Sequence, residues 1–148
     1  MFEKLRFVPA ACIFACAAVS ANAACIDVKQ TDQLSFQGTL SRQVFPGRPN
    51  FEDVRKGDAR EPGYILKLDA PICATGDEFL NAGKSFDRIQ LVLDDAPASS
   101  PLPSTLRGLT GKRVVVEGRS AFGAHTGHHH APLLVAVKNI AGTPAPTR

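Results

Sequence analysis

Apolar and polar residues alternate along several short segments of this chain, and that alternation constrains its fold more than any other feature. In the clearest segment the apolar parity holds Leu34, Phe36, Gly38, Leu40 and Val44. A period of two is typical of a strand with one buried face, and a glycine within it indicates a bend or bulge. The pattern therefore predicts a bent strand over residues 34–45.

The same alternation predicts four further strands, over residues 64–70, 88–94, 112–121 and 133–140. Ser104 suits the N-cap of a short helix over residues 104–109, with Gly111 closing it. This order of elements, with one short helix between strands 3 and 4, is typical of a small all-β, five-stranded OB-like barrel. A small β-sandwich is the alternative that the alternation also permits.

The first 23 residues have the layout of a secretory signal. Lys4 and Arg6 precede an apolar stretch over residues 7–19, which is too short to span a bilayer as a helix, and residues 20–23 complete a small-residue cleavage pattern. We therefore expect a signal peptide over 1–23, a single domain over 24–141 and a disordered tail over 142–148. The mature chain would be periplasmic or secreted and would lack a membrane span. An uncleaved anchor and a lipoprotein are the alternatives.

Two cysteines, Cys25 and Cys73, remain once the signal is removed, because Cys12 and Cys16 lie within it. An even pair in an oxidising compartment predicts one disulfide bond, which would contribute about 4 kcal/mol in the chain-entropy model. Two free thiols are the alternative. The net charge of +3 comes without a long basic run, so the sequence predicts no nucleic-acid partner.

Two loop motifs stand out from the strands around them, FPGRPNFEDVRKGD and AHTGHHHAPLL. Together with GTLSRQV, EPGYILKLDAPICA, DRIQLVL and LRGLTGKRVVVEGRSAFG, they resemble a set of exported bacterial proteins catalogued as domain of unknown function 4431. The resemblance runs from about Gln37 to Val137. It implies export and a single domain, and it implies no activity. Arg48 and Phe51 stand where the family pattern suggests Pro and Tyr.

All four histidines fall within six residues, as His125, His128, His129 and His130. Clustered imidazoles favour zinc or copper. On an extended chain His128 and His130 would share one side and His129 would point away, while Gly127 would let the turn bring His125 back. The spacing therefore predicts a metal site made of His125, His128 and His130. The alternative is a polar turn whose histidines pack on one another or cap backbone groups.

A long polar loop over residues 47–63 supplies the other candidate ligand-binding residues, which are Arg48, Asn50, Glu52 and Asp53, joined by His129 from the turn. In an OB barrel the loop between the first two strands and the loop between the last two flank the ligand-binding face. The polar loop and the histidine turn should therefore converge. Glu52, Asp53 or Asp58 would complete a metal shell or orient an imidazole.

These features favour an exported binding or accessory module, which would take a divalent metal, an anionic or saccharide ligand, or an envelope partner. One alternative is a metal-assisted hydrolase that uses the same histidines, with Glu52 or Asp53 as the base. A structural envelope protein is the other. The sequence holds no Gly-x-Ser-x-Gly elbow and no phosphate loop, which argues against an enzyme, and no catalytic residue is predicted.

Overall fold

The computed structural model describes residues 24–30, 34–93 and 96–144, which form six strands and two short helices. The strands are β1 (Ala24–Asp27), β2 (Leu34–Pro46), β3 (Arg60–Thr75), β4 (Phe86–Val92), β5 (Arg113–Gly123) and β6 (Leu133–Gly142). A 3-10 helix spans Val54–Lys56, and the α-helix α1 spans Leu102–Leu109. The predicted signal, residues 1–23, lies outside the described residues.

Strands β2 to β6 close into a barrel. The hydrogen-bonded order is β1-β3-β2-β5-β6-β4, and an additional pairing of β3 with β4 joins the ends. Strands β4 and β6 pair in parallel, whereas the other barrel pairs are antiparallel. With α1 between β4 and β5, this confirms the OB-like barrel. The closure by β3 and β4 rules out the sandwich, whose two sheets stay separate.

The second predicted strand is much longer than its alternation indicated. Strand β3 begins at Arg60, and residues 60–63, predicted as loop, pair with residues 43–46 of β2. Residues 60–63 form a strand because they pair with β2, although Pro62 and Gly63 are typical of a loop in the sequence. Strand β1 was not predicted; it pairs in parallel with the far end of β3, with Cys25 beside Cys73, and a disulfide bond joins the two cysteines.

Helix α1 begins two residues before the predicted start, and Ser104 is not its N-cap. The Ser104 hydroxyl donates to the Pro101 carbonyl at 2.8 Å, inside the first turn, whereas the Ser100 hydroxyl accepts from the Leu102 N–H at 3.3 Å. Proline in the first turn costs no hydrogen bond, since those N–H groups lack helical partners. Leu102 and Leu106 are buried against the barrel core.

At its C-terminal end, the described chain continues slightly past the expected domain boundary. Strand β6 extends to Gly142, and the Thr143 N–H donates to the Arg113 carbonyl at 2.9 Å. The ordered chain therefore continues past the boundary expected at residue 141, and residues 145–148 lie outside the described part. Among the described residues, no helix has the length and apolar character needed to cross a membrane.

The barrel interior is filled by one apolar parity, as the alternation predicts. Leu66 pairs with Ile89, and Ile89 with Leu133, and all three side chains are fully buried. At Gly38 the strands approach so closely that a Cβ atom would overlap the Lys67 carbonyl oxygen. The close approach of β3 therefore requires a glycine at this position in the middle of β2.

A second buried layer lies on the outer face of β3, β4 and β6. Ile65 pairs with Gln90, and Gln90 with Leu134, in the row next to the interior one. Successive residues of a strand face opposite sides of the sheet, so this row points away from the barrel core. Its members are nevertheless 1%, 6% and 0% exposed. The histidine turn, residues 124–132, covers Gln90 in this row, as its hydrogen bonds to that side chain show.

Candidate functional site

The polar loop is organised around the buried carboxylate of Asp58, which is 5% exposed. That carboxylate accepts the backbone N–H groups of Asn50, Glu52 and Asp53 at 2.9, 2.7 and 2.9 Å. These hydrogen bonds to the charged form lower the pKa of Asp58. Asp58 therefore holds the loop together and does not extend a free carboxylate toward the histidines.

A second acid of the loop, Asp53, is also directed at the loop itself. Asp53 caps the 3-10 helix by accepting the Arg55 N–H at 2.9 Å, and it pairs with the Arg55 guanidinium at 3.0 Å. Those hydrogen bonds from Arg55 lower the pKa of Asp53. Asn50, Glu52 and Asp53 thus shape the loop, whereas Arg48 lines a depression beside the histidine turn.

Gln90 fastens the histidine turn to the outer face of the barrel. Its side-chain amide donates to the His128 carbonyl at 3.0 Å and accepts the His130 N–H at 2.6 Å. The imidazole of His130 stacks on the ring of Phe45, with 3.9 Å between centroids and 8° between planes. The turn is therefore a fixed part of the sheet surface.

The loop and the turn meet, as the barrel fold implied. The Phe51 ring stands edge-on to His128, with 4.7 Å between centroids. It also packs so closely on Gly127 that an added Cβ would lie 2.7 Å from a Phe51 ring atom. Residues from the two motifs therefore share one surface, although most of the barrel sequence separates them.

The histidines divide into two pairs. The Nδ1 of His128 lies 2.6 Å from Oε2 of Glu61, and the Nε2 of His130 lies 3.7 Å from the other oxygen of that carboxylate. On the other side, the Nδ1 of His129 accepts the His125 N–H at 2.9 Å, and their rings meet edge-on at 4.6 Å. The predicted trio is therefore split, because His125 pairs with His129.

The physical reason for this split is the shape of the turn. The His129 N–H donates to the Thr126 carbonyl at 3.1 Å, so residues 126–129 curl and the alternation of an extended strand does not apply to them. His125 donates from Nδ1 to the Gly123 carbonyl at 2.8 Å and stacks on Phe79. Among the described residues, no three His, Cys, Asp or Glu side chains form a group arranged to hold a metal ion.

His130 is more buried than His128. Its side chain is 12% exposed, and its Nε2 has no hydrogen-bond partner among the described residues. Burial lowers the pKa of His130, although the neighbouring Glu61 carboxylate opposes that shift. The neutral imidazole is therefore the form that the folded protein favours at this position.

Two depressions lie on either side of His128. The first is a groove of about 530 Å³ between the turn and the ends of β3 and β4, and it is lined by Glu61, Pro62, Gly63, Tyr64, Gln90, Leu91, Val92, Leu93, Thr126, His128 and His129. The second, of about 580 Å³, is lined by Arg48, Pro49, Phe51, Thr126, Gly127 and His128. His128 and Thr126 are common to both.

Comparison with known families adds one finding. Residues 88–141 match the family model described as Domain of unknown function (DUF4431). The match confirms the resemblance over most of β4, α1, β5, the histidine turn and most of β6. A search of curated proteins returned no match, and a search of solved structures returned none either.

Two residues central to this site were missing from the sequence-based candidates. Gln90, within the DUF4431 match, occupies the polar parity of its strand, which predicts a solvent-facing side chain; its burial depends on a turn 38 residues away. Glu61, before the match, belongs to the loop predicted from the sequence, which names Glu52, Asp53 and Asp58 as the candidate acids. The pairing of residues 60–63 with β2 would have indicated Glu61, since it places this carboxylate opposite Phe45.

Proposed function

We propose that this protein is an exported binding module that takes up a small polar ligand in the groove beside His128. The observation that carries this proposal is the hydrogen bond of 2.6 Å between Glu61 and His128 at the wall of the groove. A carboxylate that accepts the Nδ1–H of an imidazole fixes the ring and its tautomer. His128 then offers Nε2 to a ligand in a fixed direction.

Export is supported by the signal-like residues 1–23 and by the disulfide between Cys25 and Cys73. Disulfides form and persist in oxidising compartments such as the periplasm. The rigidity of the site supports binding as its role. The Asp58 carboxylate orders the loop, and the Gln90 amide orders the turn, so the groove loses little conformational freedom on binding.

Mass spectrometry of untagged protein purified from the periplasm tests this proposal. Under denaturing conditions we expect the mass of residues 24–148 less two hydrogens. Under native conditions we expect an additional mass from the retained ligand. The Glu61→Gln and His128→Gln variants should lose that additional mass, because each breaks the carboxylate–imidazole pair.

His125→Gln is the matched control, because it changes the same residue type in the same turn on the side that faces His129. It should retain the ligand. An additional mass that survives both groove variants would place the ligand elsewhere, and a native mass equal to the chain alone would count against a retained ligand.

Zinc or copper is the second candidate ligand. His128 directs Nδ1 at a Glu61 carboxylate oxygen, and this arrangement is typical of metal-ligating histidines that coordinate through Nε2. Isothermal titration of untagged protein with zinc tests it, and affinity should fall below about pH 6.5, because a protonated imidazole cannot ligate. Equal binding by wild type and His128→Gln would contradict a site at the turn. The metal-assisted hydrolase depends on the same ion and therefore on the same titration.

A further inference from the structure

The two depressions beside the histidine turn are parts of one surface, because Thr126 and His128 form a wall of each. A ligand that extends out of the groove past His128 enters the second depression. One end of such a ligand would lie near Arg48, and the other end would lie in the groove. The order of protein side chains along this surface therefore indicates the order of chemical groups on a matching ligand.

At one end of this surface, Arg48 offers a cation. Its backbone is held in place, since the Ala59 N–H donates to the Arg48 carbonyl at 2.7 Å. Its side chain is exposed and makes no hydrogen bond or ion pair with the rest of the described chain. The nearby carboxylates of Asp58 and Glu61 are already engaged, with backbone N–H groups and with His128 respectively. A guanidinium in this state is suited to binding a carboxylate.

In the middle of the surface, His128 offers Nε2 to a ligand, because its Nδ1 faces the Glu61 carboxylate at 2.6 Å. The Phe51 ring, edge-on to the imidazole, limits its rotation. Nε2 of an imidazole accepts a hydrogen bond when the ring is neutral and donates one when it is protonated. A hydroxyl both donates and accepts, so it matches Nε2 in either form.

At the other end, the groove has a mixed wall, with the partly buried Tyr64 beside Leu93. This wall suits a chain that presents both carbon atoms and hydroxyl groups. A ligand that binds along this wall needs neither a strongly apolar tail nor a second charged group.

Building on the proposed function, we propose that the ligand is an extended hydroxylated carboxylate of the sugar-acid type. Its carboxylate contacts Arg48, a hydroxyl forms a hydrogen bond with Nε2 of His128, and the rest of its chain lies in the groove along Tyr64.

Titrations followed by amide chemical shifts, with three matched probes, test this inference. D-gluconate carries both the carboxylate and the hydroxyls, D-glucitol lacks the carboxylate, and hexanoate lacks the hydroxyls. We expect gluconate to shift the amides of Thr126, Gly127 and His128. Glucitol should bind about tenfold more weakly, which is the loss expected for one charge-assisted hydrogen bond. Hexanoate should bind about fivefold more weakly, because it loses the hydroxyl hydrogen bond at His128.

Arg48→Gln should weaken gluconate binding by about tenfold for the same reason and leave glucitol binding unchanged. Arg55→Gln is the control, because Arg55 belongs to the same loop but is paired with Asp53. Equal affinities for gluconate and glucitol, or an Arg48→Gln variant that binds gluconate like wild type, would overturn the inference. If no probe binds while the native mass still depends on Glu61 and His128, the ligand class is wrong and the proposed groove stands.

Discussion

Glu61 and His128 are 67 positions apart in the sequence, yet Oε2 of the first lies 2.6 Å from Nδ1 of the second. The bond joins the start of β3 to the histidine turn. Together with the two hydrogen bonds of Gln90, it makes the turn a part of the outer sheet face.

Replacing Gln90 should loosen the turn. Gln90→Met keeps much of the side-chain volume but leaves the His128 carbonyl and the His130 N–H without their partner. Unpaired polar groups in a buried layer cost about 1–3 kcal/mol each, so the free energy of unfolding in urea should fall by an amount of that order. Gln30→Met, at an exposed glutamine, is the control and should change little. If the two variants were equally stable, the Gln90 bonds would not stabilise the fold.

The burial of His130 predicts a pH dependence. Because the folded pKa of His130 is lowered, the unfolded chain binds the proton more tightly, and stability increases with pH in that range. The contribution should be fully present above about pH 6.5, the unfolded pKa, and be lost as the pH falls toward the folded pKa. Urea denaturation from pH 5 to pH 8 measures it. His130→Phe keeps a ring against Phe45, and it should show a flatter profile; an identical slope in both proteins would contradict the assignment.

Asp58 should be essential for the order of the polar loop. Asp58→Asn removes the charge and one acceptor oxygen, so the amides of Asn50, Glu52 and Asp53 cannot all keep their hydrogen bonds. We expect faster hydrogen exchange at these amides and a lower denaturation midpoint. Glu52→Gln, a similar change at an exposed side chain of the same loop, should leave exchange unchanged. Slow exchange in Asp58→Asn would show that other contacts order the loop.

The glycine in β2 should tolerate no side chain. In Gly38→Ala the new methyl group would overlap the Lys67 carbonyl oxygen, and the strands would have to separate at a cost of about 1–3 kcal/mol or more. Gly108→Ala adds the same methyl group in α1, where nothing lies within 4 Å of it. That control should be neutral or stabilising by about 0.5–1 kcal/mol, because alanine favours the helix. Thermal unfolding of both variants measures these changes in stability. A Gly38→Ala variant as stable as the wild type would contradict the close approach of β2 and β3.

Much of the barrel could be predicted because its strands are regular. The alternation around Leu34 and Leu40 identifies a half-buried strand without knowledge of its neighbours, and the order of elements then indicates the OB-like closure. The ends of β3 could not be predicted in this way. Residues 60–63 carry Pro62 and Gly63, which indicate a loop locally, and only hydrogen bonding to β2 makes them a strand.

The histidine turn shows the same limit at the candidate site. Its composition identifies an unusual segment, and the barrel topology implies that it lies near the polar loop. The grouping of its imidazoles required the assumption of an extended chain, which the hydrogen bond from His129 to Thr126 removes.

The strand faces, the cysteine pair and the two segments that meet beside the groove can therefore be predicted from the residues alone, because period-two burial and chain topology are properties of regular elements. The pairing of Glu61 with His128, the burial of Gln90 and the pairing of His125 with His129 follow only from the folded arrangement. These contacts arise where an irregular turn folds over the outer face of the sheet. Which side chains meet there depends on the turn's own hydrogen bonds and on residues distant in sequence, neither of which a local pattern encodes.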